Sequence, residues 1–233
     1  MLKQFIKFFI RLLPNTAMVP ILFGPNRGFF WTIGSGINQA WLGTYEWEKQ
    51  LVLAETVKRG KVVFDIGAHA GFYSLLFSRC TGPQGKVVSF EPNPRNLIYL
   101  ANHLKKNRRK NVQIFPIALS ARSGFHPFDF SHSPYTGHLS AQPQLTMIRT
   151  ETLDSMVFQN NLTEPGVIKI DVEGAELEVL QGGDQVLKVC RPVVFVAIDN
   201  RERQNELIDF LQKRQYLIRP ICGNPFEIIC IPE

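Results

Sequence analysis

The sequence lacks the features that would place a chain across a membrane or make it depend on disulfides. None of its apolar runs approaches the roughly 18 residues that a transmembrane helix needs. Its four cysteines include no Cys-x-x-Cys pair. Because a chain of 233 residues buries enough apolar surface to fold without disulfides, we interpret the cysteines as buried thiols in a reducing compartment. These absences favour a cytoplasmic protein.

Low-complexity tracts and internal repeats are also absent, which excludes a repeat architecture. The chain carries a net charge of +6, and this charge raises the question of a nucleic-acid partner. Five basic residues and one asparagine form the run "KKNRRK" at 105–110, which contains no aromatic side chain. Surfaces that bind single strands interleave basic and aromatic side chains, so we expect no nucleic-acid partner.

The other basic cluster is the N-terminal segment 1–13, "MLKQFIKFFIRLL". Lys3, Lys7 and Arg11 are spaced four apart and share one helical face, while apolar side chains occupy most of the rest. Two interpretations stay open. The helix packs on the domain, or it lies in an anionic membrane surface at the inner face of the membrane.

The chain as a whole divides into two parts. Residues 1–44 form a mostly helical or irregular lead-in that is interrupted by glycine and proline, and residues 45–233 form one domain. In that domain short apolar runs such as "VVFDI", "VVSFE", "VQIFPIA", "VIKID" and "VVFVAID" alternate with helical stretches. Runs that are apolar throughout predict a parallel sheet covered on both faces. A turn signal at Cys222–Pro225 predicts that the last two strands form an antiparallel hairpin.

The turn after the first strand of that sheet, "FDIGAHAG", indicates a ligand site. Ligands of open α/β sheets bind beyond the carboxyl ends of the strands, and Gly67 and Gly71 would let the chain turn sharply there. Asp65 stands where a dinucleotide-binding turn has its first glycine. Its carboxylate would repel a pyrophosphate and attract a cation, and S-adenosylmethionine fits that requirement. Glu91, at the end of the second strand, would accept hydrogen bonds from ribose hydroxyls.

Five segments in this order resemble the FkbM-type methyltransferases: "FDIGAHAGFYS", "SFEPNPRNLIYLANHLKKN", "IALSARSG", "ETLDSM" and "IKIDVEGAELEVLQGG". The resemblance implies an α/β fold of Class I, Rossmann-like, with a seven-stranded, mostly parallel sheet that ends in an antiparallel hairpin and has helices on both faces. It also implies S-adenosyl-L-methionine as cofactor and methyl transfer to oxygen. The cofactor-binding residues that it implies are Glu46, Asp65, Gly67, Ala68, Gly71, Phe72, Glu91, Pro92, Asn93, Ala118 and Leu119.

Candidate catalytic residues follow the fourth and fifth strands. Asp171 ends a strand that otherwise reads as core, so we predict that it acts as a base or orients the acceptor, with Glu173 as second choice. Asp199 ends the fifth strand. Together with Asp171 and Asn200 it is similar to the magnesium site of catechol-type O-methyltransferases. The lysine base of those enzymes is replaced here by Gly174, so Mg²⁺ is left open.

The acceptor is expected to be a small molecule or a carbohydrate, such as a sugar, a glycolipid or a secondary metabolite. The long connection from Arg122 to Pro165 is the predicted acceptor pocket. His138 is a candidate base there, whereas His126 and His132 are read as incidental. Two alternatives are a nicotinamide-dependent dehydrogenase, which would want glycine at position 65, and a membrane-associated binding protein with an inactive methyltransferase fold.

Overall fold

The computed structural model describes residues 13–37, 39–129, 138–139 and 146–233. The first elements in chain order are β1 (Met18–Pro20), β2 (Phe30–Thr32), α1 (Trp47–Thr56), β3 (Val62–Ile66), α2 (Phe72–Thr81), β4 (Lys86–Phe90), α3 (Pro94–Lys106), β5 (Val112–Phe115), β6 (Ala118–Leu119), β7 (Gly124–Asp129), β8 (His138–Leu139) and β9 (Thr146–Glu151). They are followed by β10 (Val167–Ile170), α4 (Glu176–Gln181), α5 (Asp184–Val189), β11 (Val193–Ala197), α6 (Gln204–Gln212), β12 (Tyr216–Ile221) and β13 (Asn224–Pro232).

The central sheet has seven strands in the order β12-β13-β11-β10-β3-β4-β5. Neighbouring strands from β11 to β5 are parallel, and β13 runs antiparallel to both β11 and β12. The predicted mostly parallel sheet with a closing hairpin is therefore confirmed. The hairpin turns at Cys222 and Gly223, between β12 and β13.

Apolar side chains of the strands alternate between two hydrophobic layers, one on each face of the sheet. Phe64 and Ile66 of β3 pack in the layer that α4, α5 and α6 cover. Val63, on the opposite face, packs with side chains of α1, α2 and α3. Because both faces are covered, the strands are apolar at nearly every position, and this accounts for the uninterrupted runs in the sequence.

The described part of the lead-in packs into the second of these layers. It contains the antiparallel pair β1–β2 and a 3₁₀ turn at Ala40–Leu42 rather than a long helix. Trp31 is fully buried, and Ile21, Trp41 and Leu42 join the same layer as Val63. Residues 18–37 and 39–44 are thus continuous with the core of the residues that follow.

The long connection at 122–165 contributes most of a second, four-stranded sheet with the order β6-β9-β7-β8. The run "VQIFPIA", which we predict as one strand, is divided at Pro116: β5 ends the central sheet, while β6 pairs with β9 in the small sheet. His138 lies in β8 and His126 in β7. His132 and residues 1–12 lie outside the described residues, and with them most of the predicted amphipathic segment.

All four cysteines are free thiols. The expectation that they are buried is wrong for most of them, because Cys230 alone is buried, Cys80 and Cys190 are half-buried and Cys222 is exposed in the hairpin turn. Across the residues that the structure describes, no helix has the length and apolar character needed to cross a membrane.

Candidate active site

A cavity of about 490 Å³ opens at the carboxyl ends of β3, β4 and β10. In the sheet β3 lies between β4, which follows it in the chain, and β10, which comes much later. The strand order therefore reverses at β3, and open α/β sheets bind ligands at such a switch point. The volume of the cavity is in the usual range for small-molecule sites. The predicted residues that line it are Gly67, Ala68, Phe72, Glu91, Pro92, Asn93, Ala118, Leu119, Asp171 and Glu173.

Four of the predicted site residues do not line this cavity: Glu46, Asp65, Gly71 and Asp199. Gly71 faces another part of the fold, because a Cβ there would lie 2.4 Å from Cδ1 of Leu100 on α3. Close packing of α2 against α3, rather than approach to a ligand, therefore explains the glycine at position 71.

Gly67 is the glycine that the site requires. Its φ of 75° lies in the left-handed region, and a Cβ there would come within 1.8 Å of the carbonyl oxygen of Asp171. The turn after β3 therefore passes directly against the end of β10. A side chain at this position would separate the two strand ends that form the cavity floor.

Glu91 presents a buried carboxylate to the cavity at the end of β4. Its oxygens accept hydrogen bonds from the backbone N–H of His69 at 2.7 Å and of Asn93 at 2.9 Å, and from the side-chain amide of Asn96 at 3.2 Å. Burial raises the pKa of Glu91 to about 7, although these hydrogen bonds act in the opposite direction. The carboxylate is thereby fixed in place between the glycine turn and α3.

Asp65 is fully buried beneath the turn, and its charge is paired inside the sheet. Its Oδ2 accepts a 2.6 Å hydrogen bond from Ser74, and its Oδ1 lies 3.4 Å from Nζ of Lys169. The sequence led us to expect an exposed carboxylate in contact with a ligand. The structure instead has a buried ion pair, because the neighbouring strand supplies a lysine at the same level.

Lys169 and Lys49 connect several acids at this edge of the sheet. Lys169 is 3.3 Å from Asp171, and it donates a 3.0 Å hydrogen bond to the carbonyl oxygen of Gly67. Lys49 of α1 pairs with Glu227, Glu46 and Asp171 at 2.9, 3.3 and 3.7 Å. Counting Asp65, four carboxylates share two ammonium groups, so the network carries an excess of negative charge.

Glu46 of this network interacts with two tyrosines of the site. The hydroxyl of Tyr73 donates to Glu46 at 2.5 Å, and both lysine ammonium groups lie within 5.6 Å of the Tyr73 ring centroid. Burial and the neighbouring Glu46 raise the pKa of Tyr45, which lines the cavity. Glu46 therefore acts in this structure as an acceptor that holds Tyr73 and Lys49.

The two lysines decide the ionisation of Asp171. Burial alone would raise its pKa, but the ammonium groups of Lys169 and Lys49 outweigh burial and hold the pKa at about 2. A carboxylate this acidic, with two cations beside it, is a poor acceptor of a proton at neutral pH. Our first choice of catalytic base is therefore not favoured by its surroundings.

Glu173 lies at the rim of the cavity, is exposed and has a φ of 54° in the left-handed region. The partial burial of its carboxyl group, and then the charges of Asp199 and Asp171, raise its pKa. Asp199 is also exposed, and burial and Asp171 raise its pKa too, against the effect of a hydrogen bond from the backbone of Glu173. Both acids are better proton acceptors than Asp171.

Magnesium does not fit these residues well. Two ammonium groups already neutralise Asp171, and they would compete with a divalent cation for its oxygens. Within the described ranges, no group of three or more His, Cys, Asp or Glu side chains is arranged to hold a metal ion. The Asn200 side chain makes no capping hydrogen bond to the helical turn after it.

The sequence profile of the methyltransferase FkbM domain family matches residues 65–218, from the aspartate of the turn to the first strand of the closing hairpin. The chain belongs to this family. One FkbM-related protein is the hexuronic acid methyltransferase AglP of Haloferax volcanii, 29% identical over 147 residues, which are 61% of this chain and 58% of that protein. Another is the 2-O-methyltransferase NoeI of Sinorhizobium fredii, 28% identical over 58% of this chain and 62% of that protein. The alignments thus span about three fifths of these relatives.

Solved structures share the fold. The FkbM methyltransferase of Methylobacillus flagellatus superposes with a TM-score of 0.54 at 16% identity over 82% of this chain and 52% of that chain. The precorrin-6y C5,15-methyltransferase of Geobacter metallireducens gives a TM-score of 0.53 at 18% identity over 80% of this chain and 89% of that chain. The Class I methyltransferase fold expected from the sequence is confirmed.

Several residues of this FkbM site were not predicted. Lys169 had a signal: a lysine inside an otherwise apolar central strand requires buried partners, and it lies two residues before Asp171 on the same face of the strand. Lys49 and Glu227 had no such signal. Gly36, Ile37 and Gln39 also line the cavity, although they precede the residues that the family profile matches.

Proposed function

We propose that the chain is an S-adenosylmethionine-dependent methyltransferase that methylates a hydroxyl group of a sugar or a related small molecule. The observation that carries the proposal is the buried carboxylate of Glu91 at the end of β4, held toward the cavity by three hydrogen bonds. Family membership supports the reaction. The relatives named as a hexuronic acid methyltransferase and a 2-O-methyltransferase support oxygen as the acceptor atom.

The cavity residues fit a cationic nucleoside. Glu91 has lone pairs left to accept hydrogen bonds from ribose hydroxyls. Pro92, Asn93, Ala118 and Leu119 offer a mainly apolar wall for the base. The network as a whole, with four carboxylates and two ammonium groups, carries excess negative charge that attracts an ammonium or sulfonium group. The negative charge expected from Asp65 alone is thus supplied by the whole network. When bound, the cofactor supplies a methyl group on positively charged sulfur.

Glu173 is the proposed base. Its carboxylate lies at the rim of the cavity, and its raised pKa suits a residue that accepts the hydroxyl proton as the new carbon–oxygen bond forms. Asp199 stabilises this arrangement by accepting the hydrogen bond from the Glu173 backbone N–H. Asp171, kept ionised by Lys169 and Lys49, orients the reactants, and no step requires a metal ion.

Peripheral membrane contact through residues 1–13 is a separate part of the proposal. Its support is the basic and apolar pattern of that segment, together with a groove lined by Lys105, Lys106 and Arg108 beside β1 and β2. The test is flotation with anionic phosphatidylglycerol vesicles. Substitution of Lys3, Lys7 and Arg11 by glutamate should abolish flotation, and unchanged flotation would contradict the contact.

The activity is tested in two stages. Isothermal titration with S-adenosylhomocysteine should show one site per chain, and Glu91→Ala should weaken it at least tenfold. Mass spectrometry should then detect the gain of one methyl group on methyl glycosides, with neutral and uronic acid sugars assayed side by side. Absence of S-adenosylhomocysteine binding by the wild-type protein would refute the proposed function.

A further inference from the structure

We propose that His103 is a positioning residue that fixes the cofactor-facing turn at 67–71 against the N-terminal segment, residues 18–37 and 39–45, and that this segment is thereby part of the cofactor site. The inference rests on the proposed function, because it assigns a role within the same cavity. The N-terminal segment lies outside the part of the chain that the family profile matches, which begins at Asp65, whereas His103 lies within it.

The N-terminal segment forms one wall of the cavity. Gly36, Ile37, Gln39 and Tyr45 line it together with residues of the glycine turn. The wall is attached to α2 as well, since the side-chain amide of Asn26 donates a 2.8 Å hydrogen bond to the carbonyl oxygen of Phe72. Movement of this segment would therefore change the shape of the cavity directly.

His103 joins the wall to the turn. It lies on α3 with its side chain fully buried. Its Nε2 is 2.9 Å from the backbone nitrogen of Thr32 in β2, and its Nδ1 is 2.8 Å from the carbonyl oxygen of Ala70 in the turn. A single imidazole thus connects two segments that are distant in sequence and adjoin the same cavity.

The partners of the ring determine its tautomer. A backbone N–H can only donate, so Nε2 must accept from Thr32, and the proton resides on Nδ1, which donates to Ala70. The hydrogen bond from Thr32 requires the neutral ring, because Nε2 can accept only while it carries no proton. Burial lowers the pKa of His103 to about 4, so the neutral form and both hydrogen bonds persist at physiological pH.

The turn that His103 holds is the one that orients Glu91. Ala70 directly follows His69, whose backbone N–H donates to the Glu91 carboxylate at 2.7 Å. Gly67 and Ala68 are held by backbone hydrogen bonds to Phe90, so loss of the bond to Ala70 would loosen the turn beside His69, and with it the alignment of Glu91. Cofactor affinity should therefore fall by more than the loss of folding stability explains.

Asn107, which caps the C-terminal end of the same helix, provides a matched control. Its side chain also binds β2, accepting from the backbone N–H of Phe30 at 2.7 Å and donating to the Phe30 carbonyl at 2.9 Å. No hydrogen bond joins it to the glycine turn among the described residues. Asn107→Ala thus removes two hydrogen bonds to β2, while His103 still holds both β2 and the turn in place.

The test compares His103→Leu, His103→Gln and Asn107→Ala in the full chain, by urea unfolding and by titration with S-adenosylhomocysteine. We expect His103→Leu to weaken binding at least tenfold and Asn107→Ala less than twofold. His103→Gln, which keeps one donor and one acceptor, should recover part of the affinity. Near-normal binding by His103→Leu would overturn the inference. So would losses of affinity that are proportional to the losses of stability in both His103→Leu and Asn107→Ala.

A measurement on the wild-type protein covers the case in which His103→Leu does not fold. Hydrogen–deuterium exchange in peptides from residues 18–45 should slow when S-adenosylhomocysteine is added, because the wall contacts the ligand. Binding without any change in these peptides would overturn the inference and leave the proposed function standing. Failure of the wild-type protein to bind at all would instead count against the proposed function.

Discussion

Lys169 and Asp65 occupy paired positions on the adjacent parallel strands β10 and β3, and Nζ of Lys169 lies 3.4 Å from Oδ1 of Asp65. Both side chains are buried, at 3% and 0% exposure. The same ammonium group also reaches Asp171 and the carbonyl oxygen of Gly67. One lysine therefore links the ends of the two strands that form the floor of the site.

This linkage predicts a large loss of stability when the lysine is removed. Lys169→Met leaves Asp65 buried without its cation and Asp171 with Lys49 alone, and breaking a buried pair typically costs about 3–5 kcal/mol. Lys188→Met is the control, because Lys188 pairs with Asp184 at 2.5 Å with its side chain 58% exposed, where a pair is worth only about 0–1 kcal/mol. Urea unfolding of both variants measures the difference, and equal losses would contradict a structural role for the buried pair.

Binding of S-adenosylhomocysteine should depend on pH through Glu91. Burial raises the pKa of Glu91 from 4.5 to about 7, so the carboxylate that accepts ribose hydroxyls is lost as the pH falls below about 7. Affinity should therefore weaken between pH 7.5 and pH 5.5. For folding the sign is opposite: the protonated form is favoured in the folded state, and the stability it contributes at low pH is lost as the pH rises through 7.

The matched variants for this titration are Glu91→Gln and Glu176→Gln. Burial also raises the pKa of Glu176 to about 7, but its carboxylate accepts from the backbone N–H of Gly174 and does not line the cavity. Glu91→Gln should bind weakly and without pH dependence, whereas Glu176→Gln should keep the dependence of the wild type. A flat profile in Glu176→Gln would show that Glu176, and not Glu91, causes the pH dependence of binding.

A comparison of Gly67 with Gly60 distinguishes the cost of a left-handed backbone conformation from the cost of a steric clash. Their φ angles are similar, 75° and 78°, but a Cβ on Gly67 would lie 1.8 Å from the carbonyl oxygen of Asp171, whereas nothing lies within 4 Å of a Cβ on Gly60. Gly60→Ala should cost only the conformational penalty of about 1–2 kcal/mol. Gly67→Ala should be more destabilising in thermal unfolding and should abolish S-adenosylhomocysteine binding. Similar behaviour of the two variants would refute the close approach.

Local patterns were enough to predict the elements that carry the cofactor side of the site. The apolar runs identify β3, β4, β10 and β11, and the spacing of Gly67 and Glu91 places them at strand ends. The pairing of Lys169 with Asp65 depends on the register of strands about a hundred residues apart in sequence. Sequence periodicity does not encode that register, so the charge of Asp65 was assigned to a ligand instead of to its neighbour.

Non-local packing also explains the other differences. The lead-in offered no continuous periodic pattern, yet its scattered apolar residues, such as Trp31, complete the layer over α2 and α3. Pro116 divides what reads as one strand, and Ala118–Leu119 then pair with β9 rather than with the central sheet. In each case the deciding contact lies far away along the chain, where single-sequence patterns carry no information.

Glu173 is predicted to act in catalysis and not in cofactor binding. Glu173→Gln keeps the shape of the side chain but cannot take up a proton, so kcat should fall by about 100-fold or more, while the affinity for S-adenosylhomocysteine stays within twofold. Because burial and then Asp199 and Asp171 raise the pKa of Glu173, the wild-type rate should decline on the acid side at a pH above 4.5. That decline should be absent in Glu173→Gln.

Asp171→Asn and Glu202→Gln complete this comparison, assayed with the glycoside that the wild-type protein methylates. Glu202 is exposed on a 3₁₀ turn away from the cavity, and its substitution should leave kcat unchanged. Asp171→Asn removes the acceptor shared by Lys169 and Lys49, so it should lower stability and cofactor affinity together with the rate. A variant at Asp171 that binds the cofactor normally and loses the acid limb of the rate profile would identify Asp171, with its pKa shifted by the bound ligands, as the base in place of Glu173.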